Sequence, residues 1–427
     1  MTPHEGELVQ IEKPVYGGDF LARLEGKAVF VPLTLPGEQA RIRMVEDKRA
    51  YARGEVESLV QAAPQRTQPA CPHFGACGGC HYQHAPYDLQ LGWKQTILRE
   101  TLARAGVSAP AEISLLAAEP WHYRNRIRLA FDAQGNPGYR GRRSHAVIAL
   151  RECPIAAPIL LCAAFAVRQL LLKFKPAVRP SELILFTNHD ESALLVSLIF
   201  PRATRIAAED LFSALREPIP QLAGLELLAE TQRNQPPRRF AAAGSTSLLY
   251  RAAGFDYRVD HGAFFQVNRL LVDALAECVC AERTGQLAWD LYAGVGLFAR
   301  ALSAGFPHVT AVESSPFAAS ALAHNLRGTS ATAESAETLA FLRRNRTTPR
   351  PDLIVLDPPR TGLGAEVTSL LAGIAPPEIV YVSCDPATLA RDLRALLAGG
   401  YTLQSLTLAD LFPQTYHLET VAHLRRA

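Results

Sequence analysis

Near the amino end, apolar and polar positions alternate over residues 28–33, 39–45 and 51–60, with Gly17-Gly18 and Pro36-Gly37 as turns between runs. A period of two marks half-buried strands. Several short strands this close together predict a small OB-like β-barrel, of the size that often offers one face to an oligonucleotide. A barrel that merely packs on its neighbour is the alternative. Residues 61–72 are polar and proline-bearing, as a linker is. Helical spacing over 87–105, 156–173 and 207–216 and strand spacing over 121–131, 183–186 and 193–200 predict a mixed α+β region, closed by the proline-rich stretch 232–239. The apolar run 155–172 comes closest to a membrane span, but Pro158, Arg168 and Gln169 interrupt it, so a buried helix is expected. From about residue 273 strands and helices alternate, with strands over 287–291, 309–312, 353–356 and 379–382. That order predicts a mostly parallel sheet with helices on both faces, and it puts ligands beyond the carboxyl ends of the strands. The expected division is a barrel at 1–62, a central domain at 63–245 and an α/β domain at 246–427, in keeping with a chain of 427 residues.

The segments that follow these strands carry the chemistry. After the first comes Asp290-Leu-Tyr-Ala-Gly294-Val-Gly296, where glycine lets the backbone turn tightly and approach a ligand. It is not the full dinucleotide fingerprint, because Phe298 and Ala299 stand where a third glycine would fall. The second strand ends in Glu313, an acid placed to accept hydrogen bonds from a ribose. The third runs into Asp357-Pro358-Pro359-Arg360, a stiff acidic loop suited to a planar polar substrate beside a nucleoside cofactor. The fourth runs into Ser383-Cys384-Asp385-Pro386, which sets Cys384 at the ligand edge. A thiolate there is a strong nucleophile, and an inert buried cysteine is the alternative. Such a thiolate could add to carbon 6 of a uracil and activate carbon 5 for methylation. A base must then take the carbon 5 proton, and His417 and Glu419 near the carboxyl end are both candidates.

Eight cysteines without a leader sequence argue against an exported disulfide framework. Cys71, Cys77 and Cys80 are closely grouped, and Cys153-Pro154 offers a fourth thiol. The spacing suits an iron–sulfur cluster and a four-thiolate zinc site about equally, with His73 and His81 as flanking residues. Net charge is only +3, but arginines clump at 124–128, 140–143, 238–239 and 343–346, which favours a polyanionic partner over scattered surface charge.

Together these residues resemble the RNA uracil-5-methyltransferase family over almost the whole chain. The resemblance implies a Rossmann-like class I methyltransferase domain, S-adenosylmethionine as methyl donor and RNA as substrate. It also implies an RNA-binding barrel and a [4Fe-4S] cluster on Cys71, Cys77, Cys80 and Cys153, which decides iron–sulfur over zinc. Phe264-Phe265-Gln266-Val267-Asn268 is similar to the family segment whose glutamine contacts the cofactor, which assigns Gln266. Tyr292, Gly294, Glu313 and Asp357 match further cofactor positions, and Ser335 is aligned with a polar contact. Leu297 departs from the polar residue some relatives carry there. Ser383–Pro386 matches the nucleophile motif, with Cys384 as nucleophile, and His417-Leu418-Glu419-Thr420 matches the motif that carries the base, Glu419. The target base is expected to flip out of its stack, with Phe265 and Tyr416 as stacking candidates. The expected substrate is 23S ribosomal RNA, with transfer RNA as the alternative. A cytoplasmic location, no membrane contact and no obligate protein partner are expected. The rival readings are a methyltransferase acting on an exocyclic amine, which needs no thiol, and a non-catalytic RNA-binding protein with a redox cluster.

Overall fold

The computed structural model describes residues 6–174, 176–232, 235–347 and 349–427. Strands β1 (Glu7–Pro14), β2 (Asp19–Leu24), β3 (Lys27–Pro32), β4 (Gln39–Asp47) and β5 (Tyr51–Gln61) close a barrel in the order β1-β2-β3-β5-β4. Alternate residues such as Val9, Ile11, Phe20, Val29 and Ile42 point inward, and that core continues onto Tyr82 and Trp93 of the following segment. Burying one face of each strand fixes the register, since a one-residue slip would turn every apolar side chain outward.

After the cysteine loop come α1 (Tyr87–Arg104) and the short β6 (Ser114–Leu116). The middle of the chain then supplies β7 (Arg126–Phe131), β8 (Pro137–Arg140), β9 (Val147–Ala149), α2 (Pro158–Phe174), β10 (Glu182–Thr187), β11 (Leu194–Phe200), α3 (Ala208–Arg216), β12 (Leu222–Ala229) and β13 (Arg238–Gly244). Its seven-stranded sheet has the order β13-β12-β11-β10-β7-β8-β9. The apolar run 155–172 is mostly α2, whose Leu160, Ala163, Ala164 and Val167 are buried in this region's core. Among the described residues no helix is long and apolar enough to cross a membrane. A hairpin of β14 (Ser247–Ala252) and β15 (Phe255–Asp260) leads into the last region.

That region runs α4 (Val272–Cys280), β16 (Leu287–Leu291), α5 (Leu297–Leu302), β17 (His308–Glu313), α6 (Pro316–Asn325), β18 (Ala331–Ser335), α7 (Thr338–Arg344), β19 (Leu353–Leu356), α8 (Gly364–Ile374), β20 (Glu378–Ser383), α9 (Pro386–Ala398), β21 (Tyr401–Ala409) and β22 (Glu419–Arg426). Its sheet has the order β18-β17-β16-β19-β20-β22-β21-β6. The first five strands are parallel, and β22 inserts antiparallel between β20 and β21. Two apolar layers, one on each face, cover it. The four predicted strands of this region are present. Periodicity did not reveal β18, whose Thr332 and Ala333 are exposed at the sheet edge, nor β21 and β22.

The segment 87–116 precedes the seven-stranded sheet in sequence yet packs elsewhere. Ile97, Leu98, Leu102, Val107 and Ile113 are buried with Tyr381, Leu389 and Leu408 of the eight-stranded region, and β6 pairs parallel to β21. This placement ties the start of the middle segment to the chain's last hairpin.

Candidate active site at the carboxyl edge of the parallel sheet

The turn after β16 is conformationally unusual. Tyr292, Gly294 and Gly296 have φ of 67°, 56° and 93°. The two glycines take this region at little cost, whereas a tyrosine there stores about 1–3 kcal/mol of strain, as residues at ligand sites often do. A Cβ on Gly296 would stand 2.8 Å from Leu322 Cδ1, while one on Gly294 would meet nothing within 4 Å. Gly296 therefore serves packing, and Gly294 leaves open space at the sheet edge. Leu297 is buried at the start of α5 and packs in the core on one face of the sheet.

Glu313, at the end of β17, accepts the amides of Gly294 (2.8 Å) and Ser315 (2.6 Å) and so ties the first two loops together. A carboxylate has about four acceptor positions, so capacity remains for a ligand. Ser335 lies directly beside Glu313 in the β17–β18 ladder and is exposed. Gln266 Nε2 donates to Asp357 Oδ2 at 3.4 Å, and its own carbonyl accepts from Asn125 Nδ2 of the middle region at 2.9 Å. Burial pushes the Asp357 carboxyl up to about 7.

Asp290 lies within β16, one residue before the strand's end, and is a site residue that the motif reading did not single out. It is fully buried, with Oδ2 accepting the Ala299 amide at 2.8 Å and Oδ1 lacking a hydrogen-bond partner. Burial, with repulsion from Asp357 and Glu313, pushes it up to about 7 despite the Ala299 amide. The available signal was an acid flanked by Trp289 and Leu291 in a strand that otherwise reads as buried on both faces.

Cys384 and Glu419 come together through strand register. The antiparallel β20–β22 ladder ends at Ser383 paired with Thr420, so Cys384, one residue past β20, lies near Glu419, the first residue of β22, whose charge acts on the thiol. Cys384 is half-buried, and Glu419 is 5% exposed. Burial first, then Glu419 and Asp357, push the thiol up to about 12, and Arg360 opposes them. Burial and Asp357 hold the Glu419 carboxyl well above the usual carboxylate range, again opposed by Arg360. The exposed Arg360 guanidinium thus favours the charged forms of both the thiol and the Glu419 carboxyl. That guanidinium donates from Nη2 to His417 Nδ1 at 3.0 Å. Burial and Arg360 push His417 down to about 3, which keeps it neutral.

The two stacking candidates separate. Phe265 is a core residue, 2% exposed and packed 4.5 Å from the Tyr250 ring, so it cannot present a face to a base; its neighbour Phe264 is the exposed aromatic. Tyr416 is half-buried at the edge, 4.3 Å from His417 and 4.6 Å from His81.

Cys71, Cys77, Cys80 and Cys153 all line one cavity of about 340 Å³ that also reaches Tyr416 and His417. Burial pushes Cys77 up to about 11 and Cys80 up to about 12, and the neighbouring thiols repel further charge. Four thiols lining one cavity, Cys153 buried and the other three half-buried, suit a cation, which would offset the cost of ionising them. Among the described residues, however, no group of three or more His, Cys, Asp or Glu side chains is placed to hold a metal ion. His73 accepts the Arg151 amide at 3.0 Å, and His81 packs on Tyr416.

The arginine clumps divide by role. Arg128, Arg140, Arg142 and Arg143 line a groove of about 610 Å³ between the barrel's Gly17–Asp19 turn and the seven-stranded sheet, ending at His81 and Tyr416. Arg126 is instead half-buried, over the Phe186 ring at 4.1 Å. Arg343 and Arg344 pair with Glu366 and Glu334.

Family models match two parts of the chain: a TRAM domain over residues 6–56 and tRNA (Uracil-5-)-methyltransferase over residues 347–427. An uncharacterized RNA methyltransferase of Aquifex aeolicus is 32% identical, with 97% of each chain covered. The 23S rRNA (uracil(1939)-C(5))-methyltransferase RlmD of Pectobacterium carotovorum is 32% identical over 95% of this chain and 90% of that one. The crystal structure of Pyrococcus abyssi tRNA (uracil-54, C5)-methyltransferase in complex with S-adenosyl-L-homocysteine superposes with a TM-score of 0.79 at 24% identity, covering 97% and 99% of the two chains. The eight-stranded region has the class I methyltransferase fold, and the first barrel is a TRAM barrel.

Proposed function

This chain belongs to the RNA uracil-5-methyltransferase family, and on that premise we propose that it forms 5-methyluridine in RNA, with 23S ribosomal RNA as substrate. The observation that carries the reading is that the end of the β20–β22 ladder brings Cys384 and Glu419 close enough to interact, with Asp357 and Arg360 acting on both. The Cys384 thiolate adds to carbon 6 of the uracil, the 5,6 double bond breaks, and its electron pair makes carbon 5 nucleophilic. S-adenosylmethionine, when bound, supplies the electrophilic methyl group that carbon 5 takes up. Glu419 then removes the carbon 5 proton, the 5,6 double bond re-forms, and the Cys384 thiolate leaves. The choice of Glu419 over His417 as base is supported by Nδ1 of His417 being occupied by Arg360, while Glu419 stands beside the thiol. Burial and Asp357 raise the Glu419 carboxyl, and a cation entering this acidic pocket favours its base form.

Gln266, Tyr292, Gly294, Glu313, Ser335 and Asp357 are the proposed cofactor contacts. They lie at the carboxyl ends of adjacent strands or, for Gln266, hydrogen-bond to one that does. Leu297 is left out because it is buried. The barrel and the arginine groove are proposed to hold the RNA that flanks the target, which fits the match to a TRAM domain. We keep 1–62, 63–245 and 246–427 as the working domain division, with 87–116 lent to the catalytic sheet. A ribosomal RNA substrate sets the reaction in the cytoplasm.

The test is transfer of labelled methyl from S-adenosylmethionine to RNA from cells lacking the gene, followed by mass mapping. The expected product is 5-methyluridine in large-subunit RNA. Label in transfer RNA alone would move the substrate assignment, and label on neither uracil carbon 5 would refute the reading.

We also propose that Cys71, Cys77, Cys80 and Cys153 hold a [4Fe-4S] cluster of structural role, supported by their convergence on one cavity. Anaerobically purified protein is expected to contain iron and labile sulfide in equal amounts, and Cys153→Ser to lose both along with RNA affinity. Stoichiometric zinc, or a metal-free protein that folds and binds RNA as well as before, would count against the cluster.

A further inference from the structure

Tyr16 belongs to the β1–β2 turn of the barrel, yet its hydroxyl donates to Asp385 Oδ2 at 3.2 Å, across 369 positions of sequence. Asp385 follows Cys384 directly. Its other oxygen, Oδ1, accepts the amides of Ala387 (3.0 Å) and Thr388 (2.9 Å) and so caps α9. Both oxygens of this carboxylate are therefore engaged. Within the same loop the Ser383 hydroxyl donates to the Asp385 carbonyl at 3.2 Å, and Pro386 starts the helix with its restricted φ. The Tyr16 ring meets Tyr416 edge-on at 5.5 Å, Tyr416 packs on His417 at 4.3 Å, and His417 accepts from Arg360 at 3.0 Å. The barrel thus reaches the reacting edge through one hydroxyl and one ring, by way of the two loops that flank Cys384.

We propose that Tyr16 is a positioning residue for the nucleophile: its hydroxyl locks the Asp385 carboxylate and thereby sets the direction of the Cys384 thiol. The inference rests on Cys384 acting as nucleophile and goes beyond it, because it makes the barrel part of the catalytic unit as well as an RNA holder. With Tyr16 absent, Asp385 keeps its cap on α9 but loses the bond that stops its carboxylate from swivelling, and the preceding residue gains the same freedom. Small losses of alignment at a reacting atom are costly, because a near-attack geometry tolerates only fractions of an ångström.

The experiment uses the full chain and large-subunit ribosomal RNA transcribed with 5-fluorouridine in place of uridine. Tyr16→Phe keeps the ring and removes the hydroxyl. Its rate of covalent attachment in a single turnover and its kcat on ordinary RNA are expected to fall about tenfold, with KM within about twofold and the thermal midpoint unchanged. In an Asp385→Asn background the same change should add little, since the two act through one bond. Glu100→Gln, on α1, which weakens its partly exposed pair with Lys13 of the barrel at 2.8 Å, should leave every rate unchanged. An unaltered attachment rate in Tyr16→Phe would overturn the proposal. So would a rise in KM alone, which would make the hydroxyl an RNA contact, or an equal loss in Glu100→Gln, which would make the effect one of barrel docking. If the wild-type protein forms no adduct, the nucleophile assignment itself fails and takes this inference with it. An adduct in the wild type together with an equally fast Tyr16→Phe removes only the positioning role.

Discussion

Cys384→Ala is expected to abolish both covalent attachment to 5-fluorouridine RNA and methyl transfer, a loss of at least ~10⁴-fold, the scale on which removal of a covalent nucleophile acts. Fluorine at carbon 5 cannot be removed as a proton, so an enzyme working through carbon 6 addition is trapped on its substrate. Glu419→Gln provides the second arm of the experiment. It should still form the attachment, because the thiol and its surroundings remain, but it should release methylated RNA slowly, because no carboxylate takes the carbon 5 proton. Denaturing gels with labelled RNA read attachment, and mass mapping reads product. An active Cys384→Ala enzyme would exclude thiol addition and point to a mechanism without a covalent step. Normal turnover in Glu419→Gln would shift the base to another group. The neighbouring charges sharpen the expectation. Burial, then Glu419 and Asp357, push the thiol up to about 12 while Arg360 opposes them, so Arg360 is the neighbour that favours the thiolate.

Lys94→Met is expected to destabilise the catalytic region by about 3–5 kcal/mol, the cost of leaving a buried charge without its partner. Lys94 lies on α1, and its ammonium meets Asp410 Oδ1 at 2.6 Å with both side chains 0% exposed. It also donates to the Phe412 carbonyl at 3.0 Å, and the Tyr87 hydroxyl donates to Asp410 Oδ2 at 2.8 Å. One turn away, Gln90 exchanges hydrogen bonds with Gln414 through its amide nitrogen (3.0 Å) and its oxygen (3.2 Å). These bonds hold the loop between β21 and β22, which carries Tyr416 and His417 up to Glu419. Activity should therefore fall with stability. Adding Asp410→Asn to Lys94→Met should recover part of the loss, because the orphaned charge is then gone. Urea denaturation followed by tryptophan fluorescence and circular dichroism provides the measurement. A loss under about 1 kcal/mol in the single variant would mean that water or another cation compensates Asp410, and the α1 clamp would lose its assigned weight.

Much of this site could be read from residue order alone, because its chemistry sits in short contiguous stretches. Asp357-Pro358-Pro359-Arg360 and Ser383-Cys384-Asp385-Pro386 each follow an apolar run that can only be a buried strand. In a parallel sheet the residue after a strand lies at the ligand edge whatever the rest of the chain does. The barrel was legible for a similar local reason, the period-two alternation between turns. Even the membrane-like run 155–172 resolved correctly into a helix, since its interruptions are themselves local. Phe265 marks the limit of such reasoning. Two adjacent phenylalanines cannot be told apart by composition, and only packing against Tyr250 and Tyr257 buries Phe265 and leaves Phe264 outside.

Sequence by itself determined the four parallel strands over 287–291, 309–312, 353–356 and 379–382, which residues stand at their ends, and that a thiol, an acid and a glycine turn share one edge, because each of these depends on near neighbours and on backbone periodicity. Tertiary structure decided the rest. It placed Glu419 beside Cys384 through an antiparallel ladder between β20 and β22, and it turned His417 toward Arg360. It moved α1 away from the sheet that follows it to clamp the last loop, and it brought Tyr16 to Asp385 from the far end of the chain. The physical reason is the same in each case. Contacts between residues hundreds of positions apart arise when apolar faces find burial together, and no local period encodes which face will meet which.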